Sequence, residues 1–98
     1  MKNEKVSIFI IEDHPVMSNG LAEYFGNTGR WRVTGTAASL SEAKTRLAGI
    51  RADLVLLDIQ LEDGWGLDII PWFAKQTEFA EQTEPAMPVT AVYTVFDD

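Results

Sequence analysis

"ADLVLLDIQLEDGWG" (Ala52–Gly66) decides how the chain is read. Four apolar residues, Leu54–Leu57, run straight into Asp58, and Glu62, Asp63, Gly64 and Gly66 follow soon after. A strand made for a core does not end in a carboxylate without a reason, because a buried charge is costly unless it is paired or coordinated. "DLVLLD" (Asp53–Asp58) therefore reads as a buried strand that delivers an acid to a site.

Outward from this stretch, alternating elements appear. "VSIFII" (Val6–Ile11) reads as a strand buried on both faces, the pattern of a parallel sheet. "EDHP" ends it, and Pro15 suits the first turn of a helix, where its missing N–H costs nothing. Val16, Gly20, Leu21, Tyr24 and Phe25 recur at helical spacing, and Gly26 and Gly29 close that helix. "WRVTGTA" (Trp31–Ala37) is a weaker strand suited to a sheet edge. "SLSE" (Ser39–Glu42) is a capping box, with Leu40, Ala43, Leu47 and Ile50 as the apolar stripe of the helix behind it. "GLDIIPWFAK" (Gly66–Lys75) predicts a helix that Pro71 kinks or shortens. Gln76–Pro88 reads either as a solvated helical face or as an acidic loop, and "VTAVYT" (Val89–Thr94) as a last strand. Strands separated by helices imply a parallel sheet covered on both sides.

Composition bounds the chemistry. The 98 residues make one domain at most, 46% hydrophobic and 23% charged, as in folded soluble chains. A net charge of -7 disfavours nonspecific attraction to nucleic acid or anionic lipid. With no cysteine, disulfides, thiolate chemistry and cysteine-ligated zinc are excluded. The apolar run at the start is too short and too soon acidic for a signal peptide or a membrane span, so a cytoplasmic location and no membrane partner are expected. The three tryptophans are expected to pack, Trp31 and Trp72 being part-exposed.

In a parallel sheet the carboxyl ends of the strands share one edge, where ligands bind. Glu12 and Asp13 follow the first strand, Asp58 ends the third and Thr94 ends the last. Three carboxylates brought together repel, and a hard divalent ion relieves them; Mg²⁺ suits oxygen ligands beside phosphate. Asp58 could then attack phosphorus and become an aspartyl phosphate, with the Thr94 hydroxyl and backbone amides donating to the phosphoryl oxygens. Gly64 and Gly66 allow the tight turn. Each residue alone also has a plain structural reading: Asp13 as a helix cap, Asp58 as a turn cap, Glu62 and Asp63 as solvated loop acids, His14 as a loop or cap residue, Thr94 as a β-former.

"IFIIEDHPVMSNGL", "DLVLLDIQLEDGWGLDII" and "PVTAVYTVFDD" together resemble the receiver domain of bacterial two-component response regulators, and "EDHP" and "YTVFDD" lean toward the subfamily with a helix-turn-helix DNA-binding output domain. The resemblance implies an α/β, flavodoxin-like three-layer sandwich with a parallel sheet in the order 2-1-3-4 and strand five missing. It implies a single domain, 1–98, an incomplete receiver that lacks helix four, strand five and helix five, and with them the family's lysine. Asp58 would be the phosphoacceptor, Asp13 a direct Mg²⁺ ligand, Glu12 a ligand through water, the Gln60 carbonyl a further ligand, Thr94 the phosphoryl contact, and Val95 would line access. A sensor histidine kinase would be the donor, DNA would be reached only through a separate output domain, and the chain itself would not be an enzyme. The open edge of "VTAVY" implies a homo-oligomer. Two departures stand out: Glu62 occupies the family's usual proline position, and Asp58 and Thr94 are 36 positions apart, longer than the family's gap.

Two other functions compete. A Mg²⁺-dependent phosphatase that uses an aspartyl phosphate would carry a second aspartate as general acid two residues after the nucleophile, where this chain has Gln60. Against a receiver-shaped interaction module that is not phosphorylated stand the intact Glu12, Asp13, Asp58 and Thr94, while the shortened chain argues for it. A dinucleotide fold is disfavoured, because the first strand leads into "EDHP" and not into a glycine-rich cradle.

Overall fold

A computed structural model of the chain describes residues 5–49, 52–78 and 89–93. The strands are β1 (Val6–Ile11), β2 (Trp31–Ala37), β3 (Leu54–Asp58), β4 (Gln60–Leu61), β5 (Gly64–Trp65) and β6 (Val89–Tyr93). The helices are α1 (Pro15–Gly26), α2 (Leu40–Leu47) and α3 (Ile69–Glu78), the last preceded by a 3-10 turn, Gly66–Asp68.

Four strands form one parallel sheet in the spatial order β2-β1-β3-β6. β4 and β5 form a separate antiparallel ribbon, Gln60 opposite Trp65 and Leu61 opposite Gly64. This corrects the expected single, wholly parallel sheet short of one strand: β1 to β5 are all present, β6 follows, and the strand pairing is mixed. The ribbon has a local cause. The chain turns back at Glu62 and Asp63, and Gly64, which opens β5 opposite Leu61, sits at φ 148, a conformation open to glycine and strained for other residues. Strands of two residues carry no alternation, so no pattern in the sequence announces them.

β1 is buried as its composition demands, with Ile8 to Ile11 fully inaccessible. Side chains alternate across a strand, and the two faces of β1 go to different surroundings. Phe9 and Ile11 join Val55 and Leu57 of β3, Leu40 and Ala43 of α2, Leu61 of the ribbon, and Ile69 and Phe73 of α3 in one core cluster. The pairing of β1 with β2 shifts between Ile8 and Phe9, and the extra residue, Thr34, donates its hydroxyl to the Ile8 carbonyl at 3.2 Å. At the other end of the strands Ser7 and Asp53 lace β1 to β3. The Ser7 amide and hydroxyl donate to Asp53 Oδ2 at 2.9 and 3.1 Å, and the Asp53 amide lies 2.8 Å from the Ser7 hydroxyl oxygen.

Several helix expectations change in detail. No residue of α1 is fully buried; Val16 and Tyr24 point outward, and the half-buried stripe is Met17, Ser18, Leu21, Ala22 and Phe25. Phe25 meets Trp31 edge-on at 5.3 Å. Trp31 and Trp72 are half-buried, but Trp65 is exposed on the ribbon and does not pack as expected. In the box before α2, Ser39 accepts the Glu42 amide, while Glu42 reaches past the cap to the Ala38 amide at 2.8 Å. Pro71 falls in the first turn of α3, where no intrahelical amide bond is lost, so the helix starts late at Ile69 and continues to Glu78. Ile50, most of Gln76–Pro88, Thr94 and Val95 lie outside the described residues.

Candidate functional site

The carboxyl ends of β1 and β3 are neighbours because these strands pair in register, Ile11 opposite Leu57. The residues that follow therefore meet. Glu12, Asp13, His14 and Asp58 each offer a ligand atom, and these atoms lie within 4.8 Å of one another. Glu12 and Asp58 are buried, Asp13 is nearly so, and the His14 side chain is 64% exposed.

Each acid is held differently. Glu12 Oε2 receives the His14 amide at 2.9 Å and lies 2.6 Å from His14 Nδ1. Asp58 Oδ1 accepts the Gln60 amide at 3.1 Å. The turn-cap reading of Asp58 is thus real for one oxygen, and it coexists with membership of the cluster. Asp13 is not a helix cap: the position before α1 is His14, whose side chain makes no capping bond. Asp13 Oδ1 is buried and accepts no hydrogen bond, although His14 Nδ1 is 3.1 Å away.

The electrostatics follow from crowding. Burial pushes the Asp58 carboxyl above its ordinary value; the Gln60 amide opposes this, and Glu12 and Asp13 add to it. The His14 imidazole is raised, first by its bond to Glu12 and then by the charge of Asp13. A buried carboxylate oxygen without a hydrogen-bond donor, set among oxygen donors of like charge, fits a hard divalent cation. Glu12, Asp13 and Asp58 are the residues that would hold it. A cleft of about 220 Å³ opens beside Glu12 and Asp13, between Pro15 and Ser18 of α1 and Thr36 and Ala37 of β2.

Gln60 lies at the cluster through its amide and pairs with Trp65 in the ribbon. Thr94 follows Tyr93, the residue paired with Asp58, but is itself outside the described residues. Asp63 is exposed in the turn, as expected of a solvated loop acid, but its carboxylate is also engaged. Its two oxygens accept the Leu40 and Ser41 amides at 2.9 and 3.1 Å, which holds its carboxyl below the ordinary value. Glu62 is exposed as expected.

This fold, with an acidic cluster at the carboxyl edge of its parallel sheet, is that of a family the comparisons identify. The family model described as the response regulator receiver domain matches residues 8–96. The chain belongs to that family, a signalling class and not an enzyme class. It is similar to the DNA-binding transcriptional activator DevR/DosR of Mycobacterium tuberculosis, 36% identical over 64 residues, 65% of this chain and 30% of that protein. It is also similar to the transcriptional regulatory protein CitB of Klebsiella pneumoniae, 31% identical over 67 residues, 68% of this chain and 29% of that protein. The chain thus spans about a third of the length of these curated relatives. The solved MaeR response regulator bound to beryllium trifluoride superposes with a TM-score of 0.75 at 25% identity, covering 95% of this chain and 70% of that one. The Glu12, Asp13, His14 and Asp58 cluster matches the Mg²⁺ site of receiver domains. Among the described residues, no helix is long and apolar enough to cross a membrane.

Proposed function

We propose that this chain is the phosphoacceptor of a two-component system: Asp58 takes a phosphoryl group from a sensor histidine kinase and thereby controls a DNA-binding transcriptional output. The observation that carries this reading is Asp58 itself, a buried carboxylate at the end of β3, gathered with Glu12 and Asp13, which follow β1. Asp58 Oδ1 is engaged by the Gln60 amide, which leaves Oδ2 as the attacking oxygen. An oxygen–phosphorus bond forms as the phosphorus–nitrogen bond of a phosphohistidine breaks, and the departing imidazole takes up a proton from solvent. A bound Mg²⁺ supplies charge neutralisation for the incoming phosphoryl group. In this reading the Gln60 carbonyl would be a further ligand of the ion, beside Glu12, Asp13 and Asp58, and the Thr94 hydroxyl would donate to the phosphoryl group.

The DNA-binding output is supported by the named regulators to which the chain is similar, and it belongs to a part of the protein other than this domain. A cytoplasmic location follows from a kinase donor and a DNA target. A second copy of the chain is a further partner, since β6 ends the described sheet and an end strand offers unpaired backbone groups.

The test is direct. The chain is incubated with Mg²⁺ and a small acyl phosphate, and its intact mass is measured. One added phosphoryl group, absent without Mg²⁺ and absent in Asp58→Ala, is the expected result. A folded wild-type chain that gains no mass, and binds no beryllium fluoride either, overturns the reading.

A further inference from the structure

We infer that Asp63 is a positioning residue for the phosphoacceptor turn, a brace that ties the β4–β5 ribbon to the first turn of α2; the inference rests on the phosphoacceptor reading above. Asp63 stands at the tip of the ribbon, yet its carboxylate spans two amides of α2, Leu40 on Oδ1 and Ser41 on Oδ2. The first amides of a helix have no partner within the helix, and a negative charge there is favoured by the helix dipole. Local residues already serve this helix end: Ser39 takes the Glu42 amide and Glu42 takes the Ala38 amide. The Leu40 and Ser41 amides are served from 23 and 22 positions away, so the same bonds that cap the helix also fix the ribbon.

The ribbon also packs on the same helix end through side chains. Leu61 is buried in the cluster that contains Leu40, and a Cβ on Gly64 would stand 3.1 Å from Leu40 Cδ1, so ribbon and helix are in close contact. At its base, the Gln60 amide donates to Asp58 Oδ1 and the Gly66 amide donates to the Ile59 carbonyl at 2.7 Å. The brace, the ribbon and the Asp58–Gln60 turn are therefore one connected piece. Losing the Asp63 bonds loosens the tip of the ribbon while Leu61 stays packed, and the slack passes through the ribbon to the Gln60 amide that orients the Asp58 carboxylate.

The test compares Asp63→Ala, Asp63→Asn and Ser39→Ala. Ser39→Ala weakens the same helix end without touching the ribbon. Each variant is melted, its Mg²⁺ affinity is measured by calorimetry, and its phosphorylation rate by a small acyl phosphate is followed by intact mass. Asp63→Ala is expected to slow phosphorylation by about tenfold or more, because small misplacement of a reacting group is costly, and to weaken Mg²⁺ binding. Asp63→Asn, which keeps one carbonyl acceptor and a folded chain, is expected to fall between. Ser39→Ala is expected to lower the melting temperature while leaving rate and affinity unchanged. Wild-type rate and affinity in both Asp63 variants overturn the brace alone, and so does an equal rate loss in Ser39→Ala. A wild-type chain that never takes up a phosphoryl group overturns the phosphoacceptor reading, and the brace with it.

Discussion

One oxygen of Glu12 serves both the backbone and the ring of His14: Oε2 takes the His14 amide at 2.9 Å and sits 2.6 Å from Nδ1. The exposed imidazole is thereby tied to a buried carboxylate, and Asp13 lies beside it. Both acids favour the protonated ring.

The first prediction concerns that ring. Without divalent ions, the His14 titration followed by NMR should have its midpoint above the ordinary imidazole value. Because the folded midpoint is raised, the associated stabilisation is complete below the unfolded value and disappears as pH rises through the folded one. Glu12→Gln removes the largest cause and should return the midpoint toward the ordinary value. A midpoint at or below the ordinary value in the wild type would show that the Glu12 contact does not form in solution.

Asp58 gives a second prediction, of opposite consequence. Its carboxyl is raised by burial and by like charges, so its ionised form opposes folding. Asp58→Asn keeps the shape and the acceptor for the Gln60 amide while removing the charge. In metal-free buffer at neutral pH, Asp58→Asn should melt at a higher temperature than wild type. The penalty in the wild type grows as pH rises from the unfolded carboxyl value to the folded one and is then constant, so the advantage of the variant should vanish on acidification. Mg²⁺ should raise the melting temperature of wild type more than that of Asp58→Asn. Equal melting temperatures in the absence of metal would contradict the crowding of charge.

A third prediction tests the far end of the same strands. Ser7→Ala removes the hydroxyl that donates to Asp53 Oδ2 and accepts the Asp53 amide. The Ser7 amide still donates to Asp53 Oδ2, and the Asp53 amide still reaches the Ser7 carbonyl at 3.1 Å, so the loss should be partial. We expect about 1–2 kcal/mol of stability to be lost in denaturant unfolding. Phosphorylation at Asp58 should be unchanged, since Ser7 and Asp58 lie at opposite ends of the parallel strands.

What could be read in the sequence, and what could not, divides by the range of the interaction. β1 and β3 were legible because a run of apolar β-formers has one good use, and their common direction placed Glu12, Asp13 and Asp58 together. The start of α2 was legible because Ser39 and Glu42 satisfy neighbouring amides. Asp63 was not, because its partners, Leu40 and Ser41, are brought to it only by the tertiary fold. An acid between Glu62 and Gly64 looks like any solvated loop acid until the helix end beside it is known. The outward turn of Val16 and Tyr24 was hidden for a related reason: helical spacing defines several candidate faces, and the sheet selects Leu21 and Phe25 instead. The β4–β5 ribbon rests on one glycine conformation rather than on any periodicity.

Two glycines should answer to alanine with opposite signs. At Gly66 an added Cβ would collide with the Asp58 carbonyl oxygen and approach Leu57 Cγ and Cδ1 to 2.9 Å. The obstacle is partly backbone, at the phosphoacceptor itself, and cannot rotate away. Gly66→Ala should cost about 1–3 kcal/mol, as overpacking does, and should slow phosphorylation because relief requires Asp58 to move. Gly20 lies inside α1 with nothing near its would-be Cβ. There alanine restricts only the unfolded chain, so Gly20→Ala should stabilise by about 0.4–1 kcal/mol and leave phosphorylation alone. Denaturant melts of the two variants, with intact-mass kinetics, separate the cases. A harmless Gly66→Ala would mean that the backbone after Asp58 is not packed against the strand as the structure has it.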